Sequence, residues 1–526
     1  MLIFTEGQAA QGLAFAEELR ALFQLICMSA HRRWQHAQAT TLLQLLPTKI
    51  FSVILSNLQN RRDLARLAAT CCLLWCDAPA APERQIGPVE AELRQRAEER
   101  RLVISSCLPE GATSWVPYLL KCELRNALRR QAPLAAGSVH SIFVDSEGRL
   151  LSCGRNLQYS YSHQTERARV LGQGTGIDAI GPPTLVPSML NRRIVSVASG
   201  SQHCLALSAV GEVYSWGAGA NGALGHGDEN DRAVPSRIES LERIESIAAA
   251  FVFVSAAIDD CGGLFTWGVA RYHAYGRAES VITGLGYAVD PEASLQLAPK
   301  RIDALVGDRV VGVAFGGAFT LAVTDAGAVF SFGSCCIGSL GHGPLEIIEV
   351  LPRRIEALAQ TERRFVGVAA GLRHSLALTE EGQLYGWGDG CGNGHAKGAN
   401  PAAHTPTLVA ALASESVKHV YAWCNSSCAM TETGVLYTWG GEQRVPRRVE
   451  GLCGSKVAAA AISDGHTLAA DEHGVVRAFG YRAALGLGDL NAGAVGLTTT
   501  TPTPIPTLRV WALKSPQSCC GTTERC

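Results

Sequence analysis

Residues 367–388, GVAAGLRHSLALTEEGQLYGWG, decide the fold. Val368, Ala369 and Ala370 lead an apolar run up to Gly371. The five residues from His374 to Leu378 then alternate with the period of a strand. Glu380, Glu381 and Gly382 read as a turn, and residues 384–388, LYGWG, as a second strand that ends on glycine. The unit recurs along the chain. Cys153-Gly154, Trp216-Gly217, Trp267-Gly268, Phe332-Gly333, Trp387-Gly388, Trp439-Gly440 and Phe479-Gly480 hold the same place. Each follows a turn glycine: Gly148, Gly211, Gly263, Gly327, Gly382, Gly434 and Gly474. A repeated period outranks any local assignment, so the chain is read as seven units of roughly fifty residues.

Two further sub-motifs keep a fixed order with the aromatic-glycine pair. G-x-x-H-S occurs at Gly137 to Ser141 and Gly371 to Ser375, with Gly200-Ser201-Gln202-His203-Cys204 close to it. L-G-x-G begins at Leu171, Leu224, Leu340 and Leu485. Glycine suits such places because it reaches positive φ and lets backbones approach closely. Over residues 135–512 this pattern resembles the repeat of the regulator of chromosome condensation family. That resemblance implies a closed seven-bladed β-propeller. Residues 135–154 look like the later part of one unit and residues 502–512 like its missing first strand. Ring closure by one blade shared between the two ends is therefore expected, since closure removes exposed strand edges.

Composition narrows the function. The chain has 526 residues, 46 basic against 47 acidic, and a net charge of −1. A nucleic-acid partner would call for a basic stripe, so none is expected. The 18 cysteines, roughly 3% of the chain, are too sparse for a disulfide scaffold. No pair of CxxC motifs is present, so no zinc site is expected. MLIFTEGQ at the N-terminus has no basic segment and carries Glu6, unlike a signal peptide. The longest apolar run, residues 247–258, is too short to span a bilayer and reads as a buried strand. The expectation is a soluble cytoplasmic or nuclear protein with no membrane partner.

Ahead of the propeller, residues 1–40 are expected to hold a helix, with Leu19, Leu22, Phe23 and Ile26 on one face. In residues 42–75, LLQLLPTKIFSVILSNLQNRRDLARLAATCCLLW, proline keeps Leu46 out of the helical region. A helix follows, with Ile50, Ile54 and Leu58 in one stripe and Phe51 and Leu55 beside it. Asp63 is a good N-cap for a second helix, in which Leu64, Leu67, Ala68, Cys71 and Trp75 share a face. This compact unit, residues 41–80, has more apolar surface than it can bury alone. A helical cap on the propeller edge would look similar. Over its whole length, however, it resembles the F-box. The resemblance implies docking on the small adaptor protein of cullin-type ubiquitin ligases through Leu46, Pro47, Ile50, Ile54, Leu55 and Leu64. Residues 81–134 read as a helical linker and residues 513–526 as a disordered tail. The expected fold class is thus mainly β, a seven-bladed propeller preceded by a small α-helical F-box-like domain.

Two units are longer than the rest, and their extra residues hold Tyr159, Tyr161, Tyr272, Tyr275 and Tyr287. Such loops either carry binding or are tolerated insertions. His140, His203, His374 and His466 keep the G-x-x-H place, and Phe253, Phe319 and Ser426 stand in it elsewhere. Histidines in equivalent places of different blades lie apart, so a structural hydrogen bond is preferred to a metal. No Ser/His/Asp order, phosphate loop or paired carboxylates appear, so no catalytic residue and no cofactor is expected. The expected role is substrate recognition for an F-box ubiquitin ligase, with the target protein unnamed. The alternatives are a guanine-nucleotide exchange factor or scaffold for a small GTPase, and an ultraviolet photoreceptor of the plant type. The photoreceptor type uses G-W-R-H-T; here Gly371-Leu372-Arg373-His374-Ser375 lacks that tryptophan.

Overall fold

The computed structural model describes residues 132–510, apart from 160–166, 252, 270, 274–279, 283, 290–294, 335–336, 345–347, 397–401, 453, 464 and 482–497. The N-terminal helix, the F-box-like unit, most of the linker and the tail lie outside the described residues. So do all six adaptor-contact candidates, Leu46, Pro47, Ile50, Ile54, Leu55 and Leu64.

Seven four-stranded antiparallel sheets follow one another along the chain as seven blades of a propeller. Their second strands are His140–Val144, His203–Ser208, Val254–Asp259, Phe319–Thr324, His374–Thr379, Ser426–Thr431 and His466–Asp471. The stretch read first forms the first three strands of blade 5: Phe365–Ala370, His374–Thr379 and Leu384–Asp389. Every residue of His374–Thr379 is buried, because blades flank it on both sides. Its period of two therefore sorts large from small. Leu376 and Leu378 pack toward blade 6 with Val417 and Trp439. Ala377 packs toward blade 4 with Phe319 and Leu321. Large-against-small packing lets neighbouring blades interdigitate without voids.

Ring closure differs from the expectation. Residues 134–185 form a complete blade 1, with Leu134–Ala136 as its short first strand. Thr498–Arg509 is the fourth strand of blade 7, paired to Val475–Tyr481. No blade is shared between the ends. Instead Leu134, Phe143 and Cys153 of blade 1 pack on Ala459, Leu468 and Leu508 of blade 7. A lone bridge joins Asp145 to Val510. The three-residue strand at 134–136 was too short to announce itself as the start of a unit.

Blade 3 corrects the alignment by one residue. Val254, not Phe253, faces the strand-end glycine as His374 does, and Gly262, not Gly263, holds the positive-φ turn. Doubled glycines and flanking phenylalanines made the two registers look alike. The apolar run 247–258 is also two strands, Ile244–Ala249 and Val254–Asp259, rather than one. No helix among the described residues is long and apolar enough to cross a membrane.

Candidate functional site

The recurring motifs meet at the junctions between blades. Gly371 of G-x-x-H lies against the His374 ring, where an added Cβ would sit 2.1 Å from the imidazole. Close approach, not positive φ, requires glycine there. At the strand end the reason is different: Gly217 has φ 110°, and a Cβ would lie 2.4 Å from the Gln202 carbonyl oxygen. The two glycines thus hold the turn shut over the histidine and aim the ring at the next blade.

Between blades 5 and 6 the set is complete. His374 Nε2 donates to Ser427 Oγ at 2.7 Å. Ser427 Oγ donates to the Gly392 carbonyl at 3.0 Å, and Trp439 Nε1 donates to the same oxygen at 2.8 Å. Between blades 2 and 3 the partners are His203 and Ser255 at 2.9 Å, with Ser255 and Trp267 both donating to the Ala223 carbonyl. Histidine and carbonyl come from one blade, hydroxyl and indole from the next. The carbonyl of Ala223 comes just before the L-G-x-G loop at Leu224, and that of Gly392 just before Asn393-Gly394, which stands in the L-G place of blade 5. At junction 4/5 Phe319 replaces the histidine, while Ser375 and Trp387 still share the Ser339 carbonyl. At junction 3/4 only Thr320 to the Gly284 carbonyl remains, because Phe332 has no ring N–H. His466 Nε2 meets Ser141 Oγ at 2.8 Å across the closure of the ring.

Burial sets the charge state of these histidines. It pulls His203 and His374 down to about 4, and His140 and His466 to about 3. The geometry agrees: with Nε2–H donating to a hydroxyl, a second ring proton needs an acceptor at Nδ1, and Nδ1 of His140 and His203 has none. At junction 1/2 His140 Nε2 lies 2.7 Å from Ser199 Oγ and 3.2 Å from Cys204 Sγ. This trio has the atoms of a nucleophile site but not its chemistry. Cys204 is fully buried, and burial pushes its thiol up to about 12. A thiol held neutral and sealed from solvent is inert.

The four histidines are therefore bound to hydroxyls at separate junctions. Among the described residues Asp259, Asp260 and Cys261 stand close enough to share an ion. However, Asp259 Oδ1 already accepts the Cys261 and Gly263 amides, and Asp260 pairs with Arg243. Asp259 is thus a turn residue. Of the loop tyrosines, Tyr287 is structural: its hydroxyl donates to the Thr266 carbonyl at 2.9 Å, and Lys300 sits 4.5 Å over its ring. Tyr159 and Tyr272 lie in short hairpins, Leu157–Tyr159 with Arg167–Arg169 and Arg271–His273 with Ser280–Ile282. Tyr161 and Tyr275 fall outside the described residues.

Sequence reading missed two recurring parts. The carbonyl before L-G had no motif letter of its own, whereas the hydroxyl is the S of G-x-x-H-S. The second is a proline on every fourth strand: Pro183, Pro235, Pro299, Pro352, Pro406, Pro446 and Pro502. Each precedes the residue that pairs with the middle of the third strand. Proline offers no N–H there, which blunts an outward-facing edge against strand addition. Its distance from the aromatic-glycine pair varies with loop length, from Trp439 to Pro446 at the short end to Trp267 to Pro299 at the long end, so only the strand pairing shows the shared place.

The description "Regulator of chromosome condensation (RCC1) repeat" matches residues 210–251 and 326–378, and a second model of the same repeat matches 194–223 and 365–395. The chain carries RCC1 repeats. It is 35% identical over 377 residues to the E3 ubiquitin-protein ligase HERC2 of Homo sapiens, covering 68% of this chain and 7% of that protein. It is 34% identical over 273 residues to the ultraviolet-B receptor UVR8 of Arabidopsis thaliana, covering 51% of this chain and 58% of that one. The chain thus spans less than two thirds of either relative. The solved structure of Prp20p from Saccharomyces cerevisiae, described with its binding to Gsp1p and histones, aligns with a TM-score of 0.53 at 22% identity. That alignment covers 64% of this chain and 83% of the other and speaks for the fold alone. In the RCC1 repeats of this chain Trp216, Trp267, Trp387 and Trp439 each donate to a carbonyl of the preceding blade. Trp423 packs edge-on against Phe251, ring centroids 6.0 Å apart, from a blade that is not its neighbour.

Proposed function

We propose that this chain recruits protein substrates to a cullin-type ubiquitin ligase. Residues 41–80 would dock on the ligase adaptor and the RCC1 propeller would hold the target. The observation that carries the ligase half is the F-box pattern of residues 42–75, with Leu46-Pro47 ahead of Ile50, Ile54, Leu55 and Asp63-Leu64. The likeness of the propeller to part of HERC2, an E3 ubiquitin-protein ligase, fits the same pathway. A rigid ring with loops at every blade suits protein recognition. In this reading the chain supplies proximity and its partner enzymes supply the transfer chemistry. A role on a small GTPase is the second reading; it rests on fold likeness alone.

The test is co-precipitation of the purified adaptor with the full chain. Leu46→Ala with Pro47→Ala is expected to weaken binding roughly thirtyfold, the effect of losing an interface anchor of about 2 kcal/mol. The propeller's melting transition should not move. Binding that survives both substitutions places the contact on Ile50, Ile54 and Leu58. A wild-type chain that ignores the adaptor makes residues 41–80 a structural cap and turns attention to the GTPase.

A further inference from the structure

Junction 6/7 lacks the histidine, the indole and the loop carbonyl together, as no other junction with a described loop does. Blade 6 joins its third and fourth strands, Leu436–Gly440 and Gln443–Arg448, through residues 441–442 alone. There is no L-G-x-G loop, hence no carbonyl to meet the next blade. Ser426 stands where the histidine stands elsewhere, and Phe479 where the indole stands. The consequences reach both sides. Phe479 is only half-buried, whereas Cys153, Trp216, Trp267, Phe332, Trp387 and Trp439 are all buried. Thr467, the counterpart of Ser427, is buried at 7% exposure, and its hydroxyl has no partner among the described residues.

We infer that the 6/7 junction is a docking notch for the exposed turn of a partner protein. The other junctions define the occupant. At Leu171, Leu224, Leu285 and Leu340 the place is filled by a leucine preceded by a bare main-chain carbonyl, which accepts a hydroxyl, thiol or indole proton from the next blade. Thr467 Oγ1 supplies one such donor and Phe479 an apolar wall. A partner turn with an aliphatic side chain after a free carbonyl meets both, as the protein's own turns do at its other junctions. This gives the recruiting reading a place and a chemistry, and depends on it only for which protein is bound.

The probe is a head-to-tail cyclised peptide carrying NGALGHG, the sequence of residues 221–227, titrated by calorimetry onto the full chain. Saturable binding is expected, roughly fivefold to tenfold weaker for Thr467→Val and by a similar factor tighter for Phe479→Trp, which restores the missing N–H donor. A tighter complex is an outcome that a purely structural Phe479 would not produce. Replacing residues 441–442 with residues 218–231 fills the notch from within and should abolish binding. Thr467→Val serves the same purpose if that graft fails to fold. A peptide that binds neither the parent nor Phe479→Trp at millimolar concentration overturns the inference, as does equal binding to the grafted chain. Adaptor binding is read separately, so loss of the F-box reading leaves this result intact.

Discussion

Junctions 5/6 and 6/7 lie on opposite sides of the same blade and are built by different means. At 5/6 a histidine, a serine, an indole and a main-chain carbonyl satisfy one another, and Trp439 is 3% exposed. At 6/7 the apolar members remain, with Val457, Ile462 and Ala469 against Cys428 and Met430. The polar set is gone. Apolar packing alone therefore suffices to hold two blades together. The polar set is an addition that fixes register and seals the outer part of the junction, since a buried polar group must find its partner in one geometry.

The largest expected contrast comes from truncating the aromatic on each side. Trp439→Ala should cost about 3–5 kcal/mol, the usual range for emptying a buried aromatic site. It also removes one of the two donors to the Gly392 carbonyl and leaves Ser427 Oγ as the other. Phe479→Ala, at a partly buried side chain without a polar partner, should cost roughly 2 kcal/mol less. Equal losses in urea unfolding would mean that the two junctions are packed alike.

Acid should act on the histidine-bearing junctions and spare the others. His140, His203, His374 and His466 are held at about 3 to 4 when folded, against about 6.5 when unfolded. The unfolded chain binds more protons in that window, so stability falls as pH drops from about 6.5 toward 4. Each histidine contributes about 1.4 kcal/mol per pH unit. His374→Phe, which copies blade 4, should remove about a quarter of that slope in a series of melting curves. An unchanged slope would mean that His374 is not the buried neutral ring described here.

A smaller contrast separates the two hydroxyls. Ser427→Ala leaves the His374 N–H without its acceptor and should cost about 1–3 kcal/mol. Thr467→Val removes a hydroxyl with no partner and should lie within about 0.5 kcal/mol of the parent. Reversal of that order would show that Thr467 has an acceptor.

How much of this could be read from the sequence depends on which atoms carry it. Trp387-Gly388 and Gly371-x-x-His374 are side-chain signals at fixed spacing, so the blade count and the hydrogen-bonding role of the histidine were legible, while its partner on the next blade was not. The Gly392 and Ala223 carbonyls are main-chain atoms and leave no letter. Their presence could be inferred only from the loop that carries them. Val254 was misread as Phe253 because register in a strand is set by pairing with Gly268, which lies 14 residues away. The notch was legible in part: the step from Trp439 to Phe479 is the shortest in the chain, and the missing residues are the 6/7 loop. Unit length alone could not say which side of the blade had lost them.

Native-state hydrogen exchange, resolved by peptide mass, tests the contrast between the junctions most directly. The second strands His203–Ser208 and His374–Thr379 face complete polar sets, whereas Ser426–Thr431 and Val457–Ile462 border the notch. Amides of Ser426–Thr431 and Val457–Ile462 are expected to exchange through a sub-global opening of lower free energy, while the other two wait for global unfolding. Adding the cyclised NGALGHG peptide should raise protection at Ser426–Thr431 and Val457–Ile462 and nowhere else in the ring. Uniform protection across all seven blades, unchanged by the peptide, would contradict both the open junction and the notch.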